Sequence, residues 1–297
     1  MVERGGADLA AVASASWPLR GSAQLVGLTG SPGAGKSTLT NALCGEWRSR
    51  GARVGVLAVD PTSPYSGGAI LGDRVRMEDH ALDPGVFIRS MATRGHLGGL
   101  SVATPAAARV LDAVGFDPVV IETVGVGQVE VEIAGAADTT VVVVNPGWGD
   151  AVQAAKAGLM EVADVFVINK ADRPGAGETR RDLSASLEMA SGRDWKPPIV
   201  DTVATDGTGV AALVDAVEEH RSWLEATGEG TRRREASLAA ELAAVVGAEV
   251  ARRAAVLTVG QEFEAARRSV LDGSVDPWTA AASLVDRGLG RLLDRRD

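Results

Sequence analysis

Cysteine occurs once in this sequence, at Cys44, so no disulfide can form within the chain. Inside an apolar helical run a lone thiol reads as a small core residue; a reactive thiol is the alternative. The three histidines, His80, His96 and His220, are scattered, and no Cys/His cluster has the spacing of a structural or deliverable metal site. Nor does any apolar run approach the ~20 residues that cross a bilayer. The Ala-rich stretch from Leu9 to Ala15 lacks a basic lead-in and has Glu3 and Asp8 beside it, which excludes a secretion signal. A cytoplasmic, reduced protein is expected. An excess of positive charge is missing as well. The formal net charge of −9 argues against binding nucleic acid or an anionic membrane through bulk charge. A local basic patch remains compatible with that balance.

What is present is a chain of 297 residues, 45% hydrophobic and 23% charged, enough for one large globular domain and an appendage. From Gln24 to about Leu224 apolar runs alternate with helical patterns, the signature of an α/β fold with a mostly parallel sheet covered by helices. Gln24–Thr29, Arg53–Val59, Pro118–Ile121, Thr139–Val144, Asp164–Ile168 and Pro198–Val203 read as strands. Lys36–Arg50, Asp150–Val162 and Gly209–Ala226 read as helices. Between Asp60 and Arg94 the pattern lapses into Pro, Gly, Ser and charge, and an irregular stretch after a strand is a place for function. After Gly230, apolar positions such as Leu238, Leu242, Val245 and Val246, then Trp278, Ala281, Leu284 and Val285, recur at helical spacing. The expected organisation is a short extension over 1–22, a nucleotide-binding domain over 23–228 and a helical, dimer-forming appendage over 229–297.

Gly30-Ser31-Pro32-Gly33-Ala34-Gly35-Lys36-Ser37 fits the P-loop pattern in full, after a strand and at the start of a helix that continues with Thr38. Glycines let the backbone wrap a phosphate chain, and amides at the helix start donate to it. Lys36 is expected on the β- and γ-phosphates and Ser37 on magnesium. Asn169-Lys170-Ala171-Asp172 follows another apolar strand. A carboxylate at Asp172 accepts from the N1–H and exocyclic amine of guanine, whereas adenine offers no matching donor pair, so GTP and GDP are favoured. Val119-Val120-Ile121-Glu122 ends a strand on a carboxylate and runs into Thr123-Val124-Gly125, where Glu122 can hold magnesium directly or through water and Gly125 can approach the γ-phosphate; a solvated loop-entry carboxylate is the alternative. Asp60 and Asp73 stand as further metal candidates, with Asp60 alternatively a capping or turn residue before Pro61. Arg74, Arg76, Arg89 and Arg94 are candidates for the phosphates, or solvated charges.

With these motifs the chain resembles the MeaB-type, methylmalonyl-CoA mutase-associated GTPases, formerly named arginine/ornithine transport ATPases. The resemblance is carried by Gly30–Ser37, Asp60-Pro61-Thr62-Ser63-Pro64, Gly67 to Met77, His96-Leu97-Gly98-Gly99, Glu122 to Gln128 and Asn169–Asp172. It implies a P-loop G domain that chaperones an adenosylcobalamin-dependent acyl-CoA mutase, with a cobalamin adenosyltransferase as a second partner. It places Lys36, Asp60, Asp73 and Glu122 in catalysis, and Ser37, Asp60, Asp73 and Glu122 around magnesium. It makes Asn145 to Lys156 the loop that couples nucleotide state to the mutase, with Lys156 as its basic contact. In the family the guanine-side loop often reads Ser-Ala. Here it is Val203-Ala204, so the Ala204 amide remains for the guanine carbonyl oxygen while the hydroxyl is gone. The helical segment that usually precedes the P-loop strand is reduced to about twenty weakly patterned residues. Two other readings stand beside this one: a metallochaperone GTPase, for which the Cys and His ligands are missing, and a small-molecule kinase or transport ATPase, against which Asp172 argues.

Overall fold

The computed structural model describes residues 6–60, 78–80, 82–92, 103–123, 129–148, 153–189, 192 and 194–293. Among them one sheet has seven strands: β1 (Leu25–Gly30), β2 (Val54–Asp60), β3 (Val86–Ala92), β4 (Val119–Thr123), β5 (Thr139–Val144), β6 (Val165–Asn169) and β7 (Ile199–Thr202). The order is β3-β2-β4-β1-β5-β6-β7, with every neighbouring pair parallel. The helices of this part are α1 (Gly6–Ser16), α2 (Lys36–Ser49), α3 (Ala103–Ala113), α4 (Val129–Ala136), α5 (Gln153–Val162), α6 (Ala176–Met189) and α7 (Val210–Thr227).

Every residue of β4, β5 and β6 is buried, which is why these strands are apolar or threonine-containing runs, with Glu122 and Asn169 as the polar residues near the ends of β4 and β6. On one face Leu39, Leu43 and Trp47 of α2 and Leu213 and Val217 of α7 join Val26, Leu28, Val56 and Val141 in one core. On the other, Leu111 of α3 packs with Leu57, Ile133 of α4 with Val59 and Ile121, and Leu159 and Leu183 with Phe166 and Ile168. Each such side chain contributes about 1.5–3 kcal/mol by leaving water, and together they hold the strand ends that carry the site.

Two expectations need correction. Residues Val86–Ala92, expected to be irregular, form β3 at the sheet edge. Phe87 and Arg89 are exposed there and alternate with half-buried Val86 and Ile88, and the apolar run Val86-Phe87-Ile88 is broken after three residues by Arg89 and Ser90, too short to announce β3. The weakly patterned N-terminal extension holds α1, which lies against α3. Alanine favours the helix without supplying a large apolar stripe.

The remaining helices are α8 (Glu229–Ala254), α9 (Gln261–Leu271) and α10 (Pro277–Leu293). By internal contacts the chain divides into 1–237 and 238–297, with α8 running through the boundary. In the first unit Arg233 pairs with Asp164 at 2.9 Å and Arg234 with Asp138 at 2.8 Å, bolting the start of α8 to the residues just before β6 and β5. In the second, α9 and α10 pack together, while Leu242, Val245, Val246 and Val250 of α8 are exposed. No described helix is long and apolar enough to cross a membrane.

Candidate nucleotide site

β1 has β4 on one side and β5 on the other, so the chain leaves the carboxyl edge of the sheet in diverging directions there. Open parallel sheets bind ligands at such a point. The P-loop occupies it, between the end of β1 and the start of α2. Gly30 has φ +133°, and a Cβ on it would collide with the Val143 carbonyl of β5, so only glycine lets the loop leave the sheet here. Gly35 precedes α2 at φ +92°, and no side chain caps that helix end. A Cβ at Gly35 would stand 2.5 Å from Asn169 Nδ2. The first-turn amides and the helix dipole therefore face the loop that is to hold phosphate. Lys36 Nζ donates to the carbonyls of Gly30 at 2.7 Å and Ser31 at 3.0 Å, which keeps its ammonium within the loop.

Glu122 is buried near the end of β4. Its Oε1 accepts from Ser37 Oγ at 2.6 Å and its Oε2 from Thr40 Oγ1 at 2.9 Å. The carboxylate assigned to magnesium thus meets the serine assigned to the same ion. Burial, with the Glu122 charge adding to it, pushes the Cys44 thiol up to about 12, so Cys44 is a protonated core thiol. Beyond Glu122, Thr123 Oγ1 donates to Thr29 Oγ1 at 3.0 Å and ties β4 to β1.

The base-reading motif begins at the end of β6. Asn169 Nδ2 donates to the Ala34 carbonyl at 2.8 Å, and its Oδ1 accepts from Thr202 Oγ1 at 3.1 Å and the Ala204 amide at 3.2 Å. Lys170, at φ +61°, donates from Nζ to the Gly33 carbonyl at 2.7 Å. Asn169 and Lys170 thus brace the P-loop, and Asp172 stands exposed in the turn beyond them, with no ion pair among the described residues. The Ala204 amide, expected on the guanine, is engaged by Asn169 in this structure. Val203 is bridged to Thr208 across the same loop.

Trp148 is buried with Val142, Leu159, Phe166 and Leu183. Lys156 lies on α5, and its side chain is outside the described residues, as is that of Asp60 at the end of β2. Asp73, Gly125, Arg74, Arg76 and Arg94 lie outside them too; Arg89 is on β3. Among the described residues no group of three or more His, Cys, Asp or Glu could hold a metal ion. Sequence reasoning missed Thr40 and Thr202. Thr40 carries a faint signal, a hydroxyl one helical turn after Ser37 on the same face. Thr202 carries none, because its partner is 33 residues away.

The opposite edge of the sheet holds a different polar cluster. Gln24 Nε2 donates to Thr139 Oγ1 at 2.9 Å, and that hydroxyl lies 2.8 Å from His220 Nδ1. His220 Nε2 faces Asp164 Oδ1 at 3.4 Å. Burial pushes the imidazole down to about 4 despite the Asp164 charge, so it is neutral at pH 7. A cleft of about 460 Å³ beside it, lined by Trp195, Trp223, Asp164 and Arg233, is on the wrong side of the sheet for the nucleotide.

The sequence-family model for the methylmalonyl Co-A mutase-associated GTPase MeaB matches residues 6–258. A Pyrococcus horikoshii protein named as a GTPase is 50% identical over 93% of this chain and 87% of its own length. The mouse methylmalonic aciduria type A homolog, a mitochondrial protein, is 34% identical over 88% of this chain and 64% of its own. Among solved structures, that of an LAO/AO transport system kinase superposes with a TM-score of 0.67 at 27% identity, covering 93% of this chain and 85% of the other.

Proposed function

The chain belongs to the MeaB family of methylmalonyl-CoA mutase-associated GTPases, and from that premise we propose a magnesium-dependent GTPase chaperone of an adenosylcobalamin-dependent acyl-CoA mutase. It gates loading of the cofactor and protects the mutase from inactivation. The supporting observation for the nucleotide is the pair of bonds from Asn169 to Ala34 and from Lys170 to Gly33. They join a phosphate loop to a base-reading loop, so the two select a ligand with guanine at one end and phosphates at the other. Asp172 accepts from the two guanine donors, and the carboxylate would be left unpaired against adenine.

Magnesium fits the donors present. Ser37 Oγ and Glu122 Oε1 are hard oxygens brought together at the start of α2, beside a helix end that favours phosphate. Asp60 and Asp73 complete the set in our reading. When bound there, the ion would neutralise charge on the β- and γ-phosphates. Lys36 stabilises the charge that develops as water adds to the γ-phosphorus and the bond to the bridging oxygen breaks, releasing GDP and phosphate.

The family membership supports the mutase as partner. In our reading Asn145 to Lys156 carries the nucleotide state to it, starting from a point anchored by buried Trp148, and Lys156 makes the contact. A cobalamin adenosyltransferase is the second partner, and the helices after 229 form a homodimer. The test is co-purification with methylmalonyl-, isobutyryl-, ethylmalonyl- and hydroxyisobutyryl-CoA mutases, in a GTP analogue and in GDP, with hydrolysis measured alongside. One of them should bind in a nucleotide-dependent way and change the hydrolysis rate. If all four leave binding and rate untouched, the chaperone reading fails.

A further inference from the structure

Ser37 and Thr40 stand one turn apart on α2, so their hydroxyls face the same side. Both are buried, and both meet Glu122 across the sheet: Ser37 at Oε1, 2.6 Å, and Thr40 at Oε2, 2.9 Å. The Thr40 hydroxyl also lies 3.0 Å from the Lys36 carbonyl. A hydroxyl has one proton to give, and an ionised carboxylate is the stronger acceptor. When Ser37 turns a lone pair towards a cation, its proton still points to Oε1, and the bond from Thr40 to Oε2 involves no atom that the cation needs.

We propose that Thr40 is the positioning residue for Glu122: its hydroxyl holds Oε2 so that Oε1 stays directed at Ser37 when magnesium-bound nucleotide is held there. This rests on the reading that Ser37 and Glu122 serve magnesium. Thr40 touches neither nucleotide nor metal in this assignment; it acts through the carboxylate. Partners of this kind beyond the direct ligands typically change metal affinity by roughly 10–100-fold when removed.

The experiment reads magnesium dependence of nucleotide binding, not turnover. A fluorescent GDP analogue is titrated onto the full chain in EDTA and at rising magnesium, for the wild type, Thr40→Val, Thr40→Ser, Glu122→Gln and the double variant Thr40→Val/Glu122→Gln. Thr40→Val should raise the magnesium concentration needed for half of the effect by about 10-fold, and leave affinity in EDTA as in the wild type. Thr40→Ser, which keeps the donor, should restore the wild-type value. The double variant should be no worse than Glu122→Gln alone, because Thr40 has nothing left to position. Wild-type magnesium dependence in Thr40→Val, with Glu122→Gln impaired, overturns the inference and leaves the magnesium reading standing. Wild-type dependence in Glu122→Gln overturns that reading and this inference with it. Affinity lost in EDTA by Thr40→Val and Thr40→Ser alike would show a purely structural role and also overturn it.

Discussion

Asn169 Nδ2 donates to the carbonyl oxygen of Ala34 at 2.8 Å, joining residues 135 apart in the sequence. The same amide accepts from Thr202 and Ala204, so one buried side chain links the phosphate loop, the base-reading turn and the loop after β7. Replacing it with alanine leaves three buried groups without this partner.

Asn169→Ala is accordingly expected to weaken GTP and GDP together, by about 10-fold or more, since a lost buried hydrogen bond costs about 1–3 kcal/mol. Titration with a fluorescent guanine nucleotide checks it. Loss of guanine preference with affinity intact would mean that Asn169 reads the base and does not brace the P-loop.

Asp172 is the residue that should set base choice. In the wild type GTP displaces a bound guanine nucleotide and ATP does not. Asp172→Asn turns one acceptor into a donor facing the guanine donors, and the preference should erode by roughly 100-fold or more. Equal displacement by ATP and GTP in the wild type would refute the guanine assignment.

His220 makes stability depend on acid. Its folded value of about 4 lies below the ordinary 6.5, so the unfolded chain binds the proton first. The contribution is complete above pH 6.5 and is lost as the pH falls towards 4. The gap corresponds to about 3 kcal/mol at most. Denaturant unfolding at pH 7 and 4.5 should show the wild type losing more stability than His220→Gln. An identical loss in both proteins would assign the acid sensitivity to other groups.

Leu242 and Val246 are exposed on α8. If they form the proposed dimer contact, Leu242→Glu and Val246→Glu leave the fold intact and give a monomer by light scattering, while the wild type is a dimer. A monomeric wild type rejects the dimer. The chosen positions lie beyond Arg233 and Arg234, so the clamp on Asp164 and Asp138 is kept.

The inner strands were legible in the sequence because burial on both faces demands continuous β-branched or apolar residues, as in the two threonines and four valines of Thr139–Val144. β3 was not, because at the sheet edge Arg89 and Ser90 interrupt its apolar run after Val86-Phe87-Ile88. Nor was α1, whose alanines carry helix propensity without a large apolar stripe.

Motifs that act through consecutive residues were determined by the sequence alone. Gly30–Ser37 and Asn169–Asp172 encode their own backbone shape, since glycine at the positive φ of Gly30 and Gly35 and a helix opening at Lys36 are local requirements. Which hydroxyls reach Glu122, what braces Asn169 and where His220 is buried were decided by the tertiary structure. Those contacts span 81 to 135 residues, apart from the shorter bonds of Thr202 and Ala204 to Asn169. They exist because the strand order sets β4 and β5 on either side of β1, bringing the carboxyl ends of distant strands together at Glu122 and Asn169 and their amino ends together at His220. No periodicity in the chain specifies that order; it follows from how the helices pack on the two faces of the sheet.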